Sequence, residues 1–434
     1  MNSKFIQMKI THIAFIILTV LLFSCTEKQK EKSKYLQKEK QITAKEILGD
    51  SEYLAISYGG YRHNSRDVQP TLTQLKEDLK IMHAMGIRLL RTYNVHLPHA
   101  ANVLKAIREL KDENPEFEMY VMLGAWIDCK NAWTGESLDH DAESPRNEKE
   151  IATTVALAKQ YPDIVKILAV GNEAMVHWAG AYFVTPRIIL KWVNHLQDLK
   201  KQGELPESLW ITSSDDFSSW GGGDAVYHTE DLNKLIRAVD FISMHTYPYH
   251  NTYYNPEFWE VPEDQRGWPE MEEVDTAMVR ARQFAIKQYD SVKNYMKSLG
   301  LDKPVHIGET GWATVSNMRT GPEGSRASDE YKQASYYKQI REWTRANGIT
   351  CFYFEAFDEQ WKDGEHPDGS ENHFGLFTKD GKAKFALWDL VDKGVFDGLT
   401  RDGSAVTKTY QGNTDLLLKT VLSVPVKVEK KFNP

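Results

Sequence analysis

The sequence predicts an α/β protein whose main domain, over residues 49–395, is a single (β/α)8 TIM barrel. Eight short runs rich in β-branched and aromatic residues recur along the chain, and segments with helical periodicity alternate with them. The length that follows the N-terminal segment suits one such barrel. The alternative, an open doubly wound sheet, normally has a G-x-G-x-x-G turn after its first strand, whereas "SYGGYRHN" contains only two adjacent glycines.

Start and stop signals place the individual elements. Thr71 and Gln74 form a capping box at the start of the first helix. Pro186 opens the helix after the fourth strand and Gly203 ends it. The predicted strands span residues 53–59, 87–94, 119–126, 165–173, 209–216, 241–248, 305–312 and 350–359.

The two ends of the chain differ from the barrel. Residues 1–24 read as a signal peptide, because two lysines precede an apolar run too short to cross a bilayer. The run ends at "LFSC", a bacterial lipobox that predicts cleavage before Cys25 and lipidation of its thiol. Residues 25–48 form a charged tether, and residues 396–434 are expected to be a C-terminal extension that packs on the barrel. We therefore expect an exported protein that is lipid-anchored in the cell envelope, with the outer membrane as the favoured site.

Composition and motifs argue against several classes of function. The net charge of −8 disfavours a nucleic-acid partner. No G-x-S-x-G elbow of a serine hydrolase occurs in the chain. A metal site would need His245 and His250 with Asp215 or Asp216, but the two histidines fall on opposite faces of a strand. We expect neither a metal nor a cofactor.

Polar and aromatic side chains collect where the predicted strands end. In a TIM barrel these ends meet on one face, which carries the chemistry. Large aromatic rings stack on sugars, and acids and amides bind hydroxyl groups, so this face suits a carbohydrate. The candidates are Tyr58, Tyr93, Asn94, Trp126, Asn172, Glu173, Tyr247, Glu309, Trp312, Glu355 and Glu359.

Glu173 and Glu309 are the candidate catalytic residues. They end the fourth and seventh strands, which face each other across the mouth of an eight-stranded barrel. Two facing carboxyl groups can act as the acid/base and the nucleophile of a retaining glycosidase. Asn172 is placed to bind the sugar 2-hydroxyl. Either glutamate alone would more simply be a buried structural acid; their joint placement indicates catalysis.

The segments "AVGNEAM", "HTYPYH", "IGETGWAT", "CFYFEAFDEQWK" and "ENHFGLF" resemble the signature segments of family 17 glycoside hydrolases. That family contains β-1,3-glucanases and related β-1,3-glucan transglycosylases. The resemblance implies that Glu173 is the acid/base, that Glu309 is the nucleophile and that Tyr247 orients it. It further implies that Trp312 walls the site and that Tyr58 lies at the donor-side sugars.

The resemblance also implies a supporting charge cluster, formed by Glu359, Lys362 and Glu371 beside Trp361. Two aromatic-rich insertions, residues 126–141 after strand three and residues 249–273 after strand six, are surface loops or walls of the substrate groove. If the second insertion blocks one end of the groove, it favours cleavage from the chain end. The sequence therefore leaves both endo-action and exo-action open.

The sequence thus predicts a membrane-tethered, retaining hydrolase of β-1,3-glucan polysaccharide or oligosaccharide, with a laminarin-like substrate. A β-1,3-glucanosyl transglycosylase shares the first half-reaction and is the main alternative. A non-catalytic glycan-binding lipoprotein is the alternative from another class, and it would be expected to lack one of the two acids.

Overall fold

Eight parallel strands close into a barrel in the computed structural model, which describes residues 42–426. Every predicted strand is present, and each neighbour along the chain is a neighbour in the barrel. Pairing of Ala55 with Phe352 joins the first strand to the last. The strands are β1 (Leu54–Ser57), β2 (Ile87–Arg91), β3 (Tyr120–Ala125), β4 (Val165–Asn172), β5 (Trp210–Asp216), β6 (Ile242–His245), β7 (Val305–Gly311) and β8 (Cys351–Phe354).

Seven long helices of the described chain follow the first seven strands. They are α1 (Leu72–Ala84), α2 (His99–Glu113), α3 (Arg146–Gln160), α4 (Pro186–Lys201), α5 (Glu230–Ala238), α6 (Glu270–Ser298) and α7 (Glu330–Ala346). The predicted capping box of Thr71 and Gln74 starts α1, and Pro186 is the first residue of α4. After β8 a longer loop leads to a short helix, Trp388–Asp392. The (β/α)8 barrel is therefore confirmed.

The barrel interior is polar directly beneath the mouth. The Ser214 and Ser243 hydroxyls are 2.9 Å apart, and Ser214 Oγ is 2.8 Å from Nε2 of His245. Gly308 of β7 faces them, and a Cβ at this position would overlap both serine hydroxyls. Glycine at position 308 thus leaves room for a layer of hydrogen-bonded side chains, Ser214, Ser243 and His245, directly beneath the site.

Both predicted insertions lie at the mouth. The one after β3 contains a small antiparallel hairpin, Cys129–Lys130 with Asp139–Glu143. The one after β6 contains the short helix Pro248–Tyr254 and the turns Pro256–Phe258 and Glu263–Gln265.

The packed region starts earlier than the predicted domain boundary at residue 49. Ala44–Ile47 is a helical turn in which Ala44 and Ile47 are fully buried. Thr43 caps this turn through a capping box. The charge pattern therefore predicted the end of the tether too late in the chain. Two apolar side chains, Ala44 and Ile47, are enough to bury this part of a charged stretch.

The C-terminal residues 396–426 pack against the barrel. Arg401 is buried and donates to Asp78 of α1 at 2.9 Å. Lys332 of α7, also buried, donates to the Leu422 carbonyl at 2.6 Å. The predicted signal peptide, Cys25 and the remaining C-terminal residues lie outside the described range. Within residues 42–426, none of the helices combines the length and the apolar character that crossing a bilayer requires.

Candidate active site

Glu173 and Glu309 approach each other from opposite sides of the barrel mouth. Glu173 follows the last residue of β4, and Glu309 lies near the end of β7. One carboxylate oxygen of each residue lies within 4.8 Å of the other. Glu309 is buried, whereas the side chain of Glu173 is 15% exposed. The pair predicted from the strand order is therefore assembled.

Glu309 is surrounded by hydrogen-bond donors. The Arg91 guanidinium contacts its Oε2, the Tyr93 hydroxyl donates to the same oxygen at 3.0 Å, and the Tyr247 hydroxyl donates to Oε1 at 2.6 Å. Burial by itself would raise the pKa of Glu309, but three effects outweigh burial and hold this pKa well below its usual range: the charge that His245 carries in the acidic range where Glu309 titrates, the charge of Arg91, and the hydrogen bonds. Glu309 is therefore ionised, as a nucleophile must be.

Glu173 has the opposite environment. Burial, followed by the negative charges of Glu309 and Asp216, raises its pKa well above the usual range. Its closest polar neighbour is Nδ1 of His245, 3.0 Å from Oε1. Glu173 is therefore protonated when Glu309 is ionised, as a general acid must be.

His245 joins the two acids. Burial lowers its pKa to about 4, so the imidazole is neutral near neutral pH. Its Nε2 lies 3.3 Å from an Arg91 nitrogen, and a guanidinium can only donate. Nε2 is therefore assigned as the acceptor, so that Nδ1 carries the hydrogen and donates to Oε1 of Glu173. The acidic proton of Glu173 is then placed on its other oxygen, Oε2.

The same three side chains, Glu173, His245 and Glu309, offer atoms that a metal ion could bind. However, the guanidinium of Arg91 already neutralises Glu309. A divalent cation beside Arg91 would be repelled, so the donor set is better suited to proton transfer than to metal binding.

Three of the predicted sugar-binding residues lie around the pair, and a fourth, Trp126, packs against Tyr182. Tyr93 and Tyr247 bind Glu309. Asn172 accepts from Arg91 at 2.5 Å through Oδ1, which leaves its amide NH2 as the donor for a hydroxyl. Trp126 is half-buried, and its ring centroid is 5.0 Å from that of Tyr182.

The predicted charge cluster is present in part. Lys362 lies 2.5 Å from Glu355 and 3.7 Å from Glu359, and Trp361 donates to Glu359 at 2.8 Å. Glu371 takes part through its charge, which helps to raise the pKa of Lys362 after the larger effects of Glu355 and Glu359, while its half-exposed carboxylate lies 3.8 Å from His250.

For three other predicted sugar contacts the geometry gives no support. Tyr58 is 1% exposed and donates to Asp78 at 2.9 Å, so it is a core residue and not a sugar platform. Trp312 is fully buried and donates to a backbone carbonyl at 2.8 Å. Asn94 accepts from the Leu97 N–H at 3.3 Å and stabilises a turn. A position at a strand end does not fix which way its side chain points.

Two important residues were not predicted. Arg91 contacts Glu309, Asn172 and His245, although it ends the apolar run "IRLLR". An arginine inside a run that reads as a buried strand was the available signal. Tyr182 is tilted against Trp126 and stacks on the exposed Trp133, whose ring centroid is 5.7 Å away. The local sequence around Tyr182 gave no indication that this residue lies at the site.

The comparisons with known proteins agree with this geometry. The family model described as the BtgE/BtgC glycoside hydrolase domain matches residues 55–375. The crystal structure of an endo-laminarinase from Formosa Hel1_33_131 is 63% identical, with a TM-score of 0.89 over 91% of this chain and 100% of that one.

More distant relatives are also similar. A glucan 1,3-beta-glucosidase of Arthroderma benhamiae is 24% identical over 277 residues, which are 63% of this chain and 73% of the relative. A β-1,3-glucanosyltransferase from Rhizomucor miehei is 20% identical, with a TM-score of 0.53 over 78% of this chain and 97% of that one, and shows the fold alone.

Proposed function

Because this chain belongs to the BtgE/BtgC glycoside hydrolase family, and is therefore a glycoside hydrolase, we propose that it cleaves laminarin-type β-1,3-glucan internally and with retention of configuration. The neighbour that is 63% identical over its whole length is an endo-laminarinase, which supports both the substrate and the endo mode. A lack of catalytic function, the alternative from another class, is disfavoured because both acids are in place.

One observation carries the mechanism: two carboxyl groups within 4.8 Å have pKa values displaced in opposite directions. Retaining enzymes hold their carboxyl groups about 5–5.5 Å apart, whereas inverting enzymes need roughly 6.5–9.5 Å to admit a water. The separation supports retention.

In the first step Glu173 donates its proton to the glycosidic oxygen while the Glu309 carboxylate attacks the anomeric carbon. The bond to the leaving sugar breaks and a glycosyl ester forms on Glu309. In the second step the ionised Glu173 takes a proton from water, and the hydroxide oxygen displaces Glu309. Tyr247 and Arg91 hold the nucleophile in place and leave it ionised.

The test is digestion of laminarin, mixed-linkage glucan, β-1,6-glucan and cellulose, with products sized over time. We expect laminarin to be shortened rapidly to intermediate oligosaccharides, with β-anomeric product by NMR. Glu309→Gln should lower turnover by several orders of magnitude. An initial α-anomeric product would contradict the mechanism, and chains longer than the input would assign the enzyme to glucanosyl transfer.

We further propose that the mature protein is tethered to the cell envelope by lipid on Cys25, on the support of the lipobox and the charged stretch that follows it. Metabolic labelling with an alkyne fatty acid should mark the wild type and leave Cys25→Ser unlabelled and released from membranes. Equal labelling of both would refute the anchor.

A further inference from the structure

The proposed general acid stands on a turn with an unusual backbone. Glu173 has φ = +47°, and Gly171, two residues before it, has φ = +82°. Glycine adopts this left-handed region freely, but a side-chain-bearing residue remains there only when its surroundings impose it. Some part of the structure must therefore hold Glu173.

Strand β5 holds this turn at two consecutive positions. The Ser214 carbonyl accepts from the Glu173 N–H at 3.0 Å. The Asp215 side chain reaches past it, and its Oδ2 accepts from the Met175 N–H at 2.8 Å. The acid/base residue is thus flanked by one backbone and one side-chain hydrogen bond from the same strand.

Asp215 is an unusual buried acid. It is fully buried, and its other oxygen, Oδ1, accepts from the Ser219 hydroxyl at 2.6 Å and from the next backbone N–H at 2.9 Å. In the described part of the chain its donors are thus two backbone N–H groups and one hydroxyl. The equally buried Asp78, in contrast, is paired with Arg62 and Arg401.

Burial, which is the largest cause, and the charge of an ionised Glu173 raise the pKa of Asp215, whereas its hydrogen bonds and His245 lower it; the result is a pKa of about 7. A buried acid without a cation destabilises the fold, so a residue of purely structural value would more often be paired or apolar. This loss of stability is explained if the carboxylate has a function in the turn to which it is hydrogen-bonded.

We propose that Asp215 is a positioning residue for Glu173, whose turn it fixes so that the Glu173 carboxyl meets His245 and faces Glu309. This inference rests on the proposed function, in which Glu173 is the acid/base. Without the anchor at Met175, the left-handed turn relaxes and the proton is no longer delivered to the glycosidic oxygen.

The test variant is Asp215→Asn, which keeps the size of the side chain but replaces one acceptor oxygen by a donor. On laminari-oligosaccharides, whose leaving group needs a proton, kcat should fall about 100-fold with KM little changed. The first-turnover release of dinitrophenol from 2,4-dinitrophenyl β-laminaribioside should change less than about fivefold, because that leaving group needs no proton. Sodium azide, a nucleophile that attacks the glycosyl-enzyme without the help of a general base, should accelerate later turnovers of that substrate.

The pH profile gives an independent readout. Removal of the negative charge of Asp215 lowers the pKa of Glu173, so the basic limb of kcat/KM should move to lower pH. A matched control is Asp240→Asn, because Asp240 accepts from the Ile211 N–H at 2.6 Å at the opposite end of the same strand. This control should lower Tm while leaving the ratio of the two substrates and the pH profile as in the wild type.

Equal losses on both substrates with an unmoved basic limb would overturn the proposal, as would full activity on oligosaccharides. If Asp215→Asn does not fold, Ser219→Ala removes one hydrogen bond from the same carboxylate and should produce the same pattern more weakly; its absence there would also overturn the proposal. Failure of the proposed function is distinguishable, because the wild type would then be inactive on every β-1,3-glucan.

Discussion

Substitution of Tyr247 by phenylalanine tests the electrostatic basis of the mechanism. The Tyr247 hydroxyl donates to Oε1 of Glu309 at 2.6 Å, and Glu309 is only 6% exposed. A hydrogen bond to a buried charged group contributes about 1.5–3 kcal/mol. Since one pKa unit corresponds to about 1.4 kcal/mol, its loss should raise the pKa of Glu309 by about 1–2 units.

The direction of the effect follows from the role of Glu309. The nucleophile must be ionised, so its pKa in the free enzyme sets the acid limb of kcat/KM. In the wild type this pKa is lowered, and activity should persist to low pH. In Tyr247→Phe the acid limb should move to higher pH by about 1–2 units, which initial rates on laminarin across an acidic to neutral buffer series would measure.

Tyr93→Phe is the matched comparison. Its hydroxyl donates to Oε2 of Glu309 at 3.0 Å, and that oxygen is also held by Arg91. The longer and partly redundant bond should give a smaller shift of the acid limb than Tyr247→Phe. The reasoning would be refuted if the acid limb of Tyr247→Phe stayed in place, or if the basic limb moved instead.

Three further substitutions probe the scaffold. Arg401→Met leaves the buried Asp78 with one cation fewer and should lower the free energy of unfolding by about 3 kcal/mol in urea titrations; an unchanged midpoint would contradict a stabilising role for the extension. Gly308→Ala places a methyl group against Ser243 and should lower the free energy of unfolding by about 1–3 kcal/mol in the same titration. It should also remove most of the activity on laminarin. Wild-type stability would show that the Ser243 hydroxyl can move to accommodate the methyl group. Thr71→Ala removes the cap of α1 and should cost about 1 kcal/mol without a change in kcat, and a kinetic effect would count against a purely structural cap.

The barrel and the catalytic pair were accessible from sequence because both depend on periodicity and order. Alternation of strands and helices fixes which strands face each other, and Glu173 and Glu309 then follow from their positions at strand ends. The burial of Tyr58 and Trp312 was not accessible, since it depends on which neighbouring loops cover each side chain. The approach of Glu371 to His250, 3.8 Å away, was not accessible for the same reason.

Arg91 explains how two neighbouring acids acquire opposite protonation states. It is only 1% exposed, and it lies against Glu309, so its charge favours the ionised form of the nucleophile. Glu173 is instead subject to burial and to the negative charge of Glu309, both of which favour its protonated form, and the imidazole beside it is neutral and adds no positive charge. Because the arginine comes from β2 and the acids come from β4 and β7, the asymmetry is a property of barrel closure and not of either glutamate's local sequence. A buried cation placed nearer to one acid, together with the burial of the other acid, thus assigns the two catalytic roles.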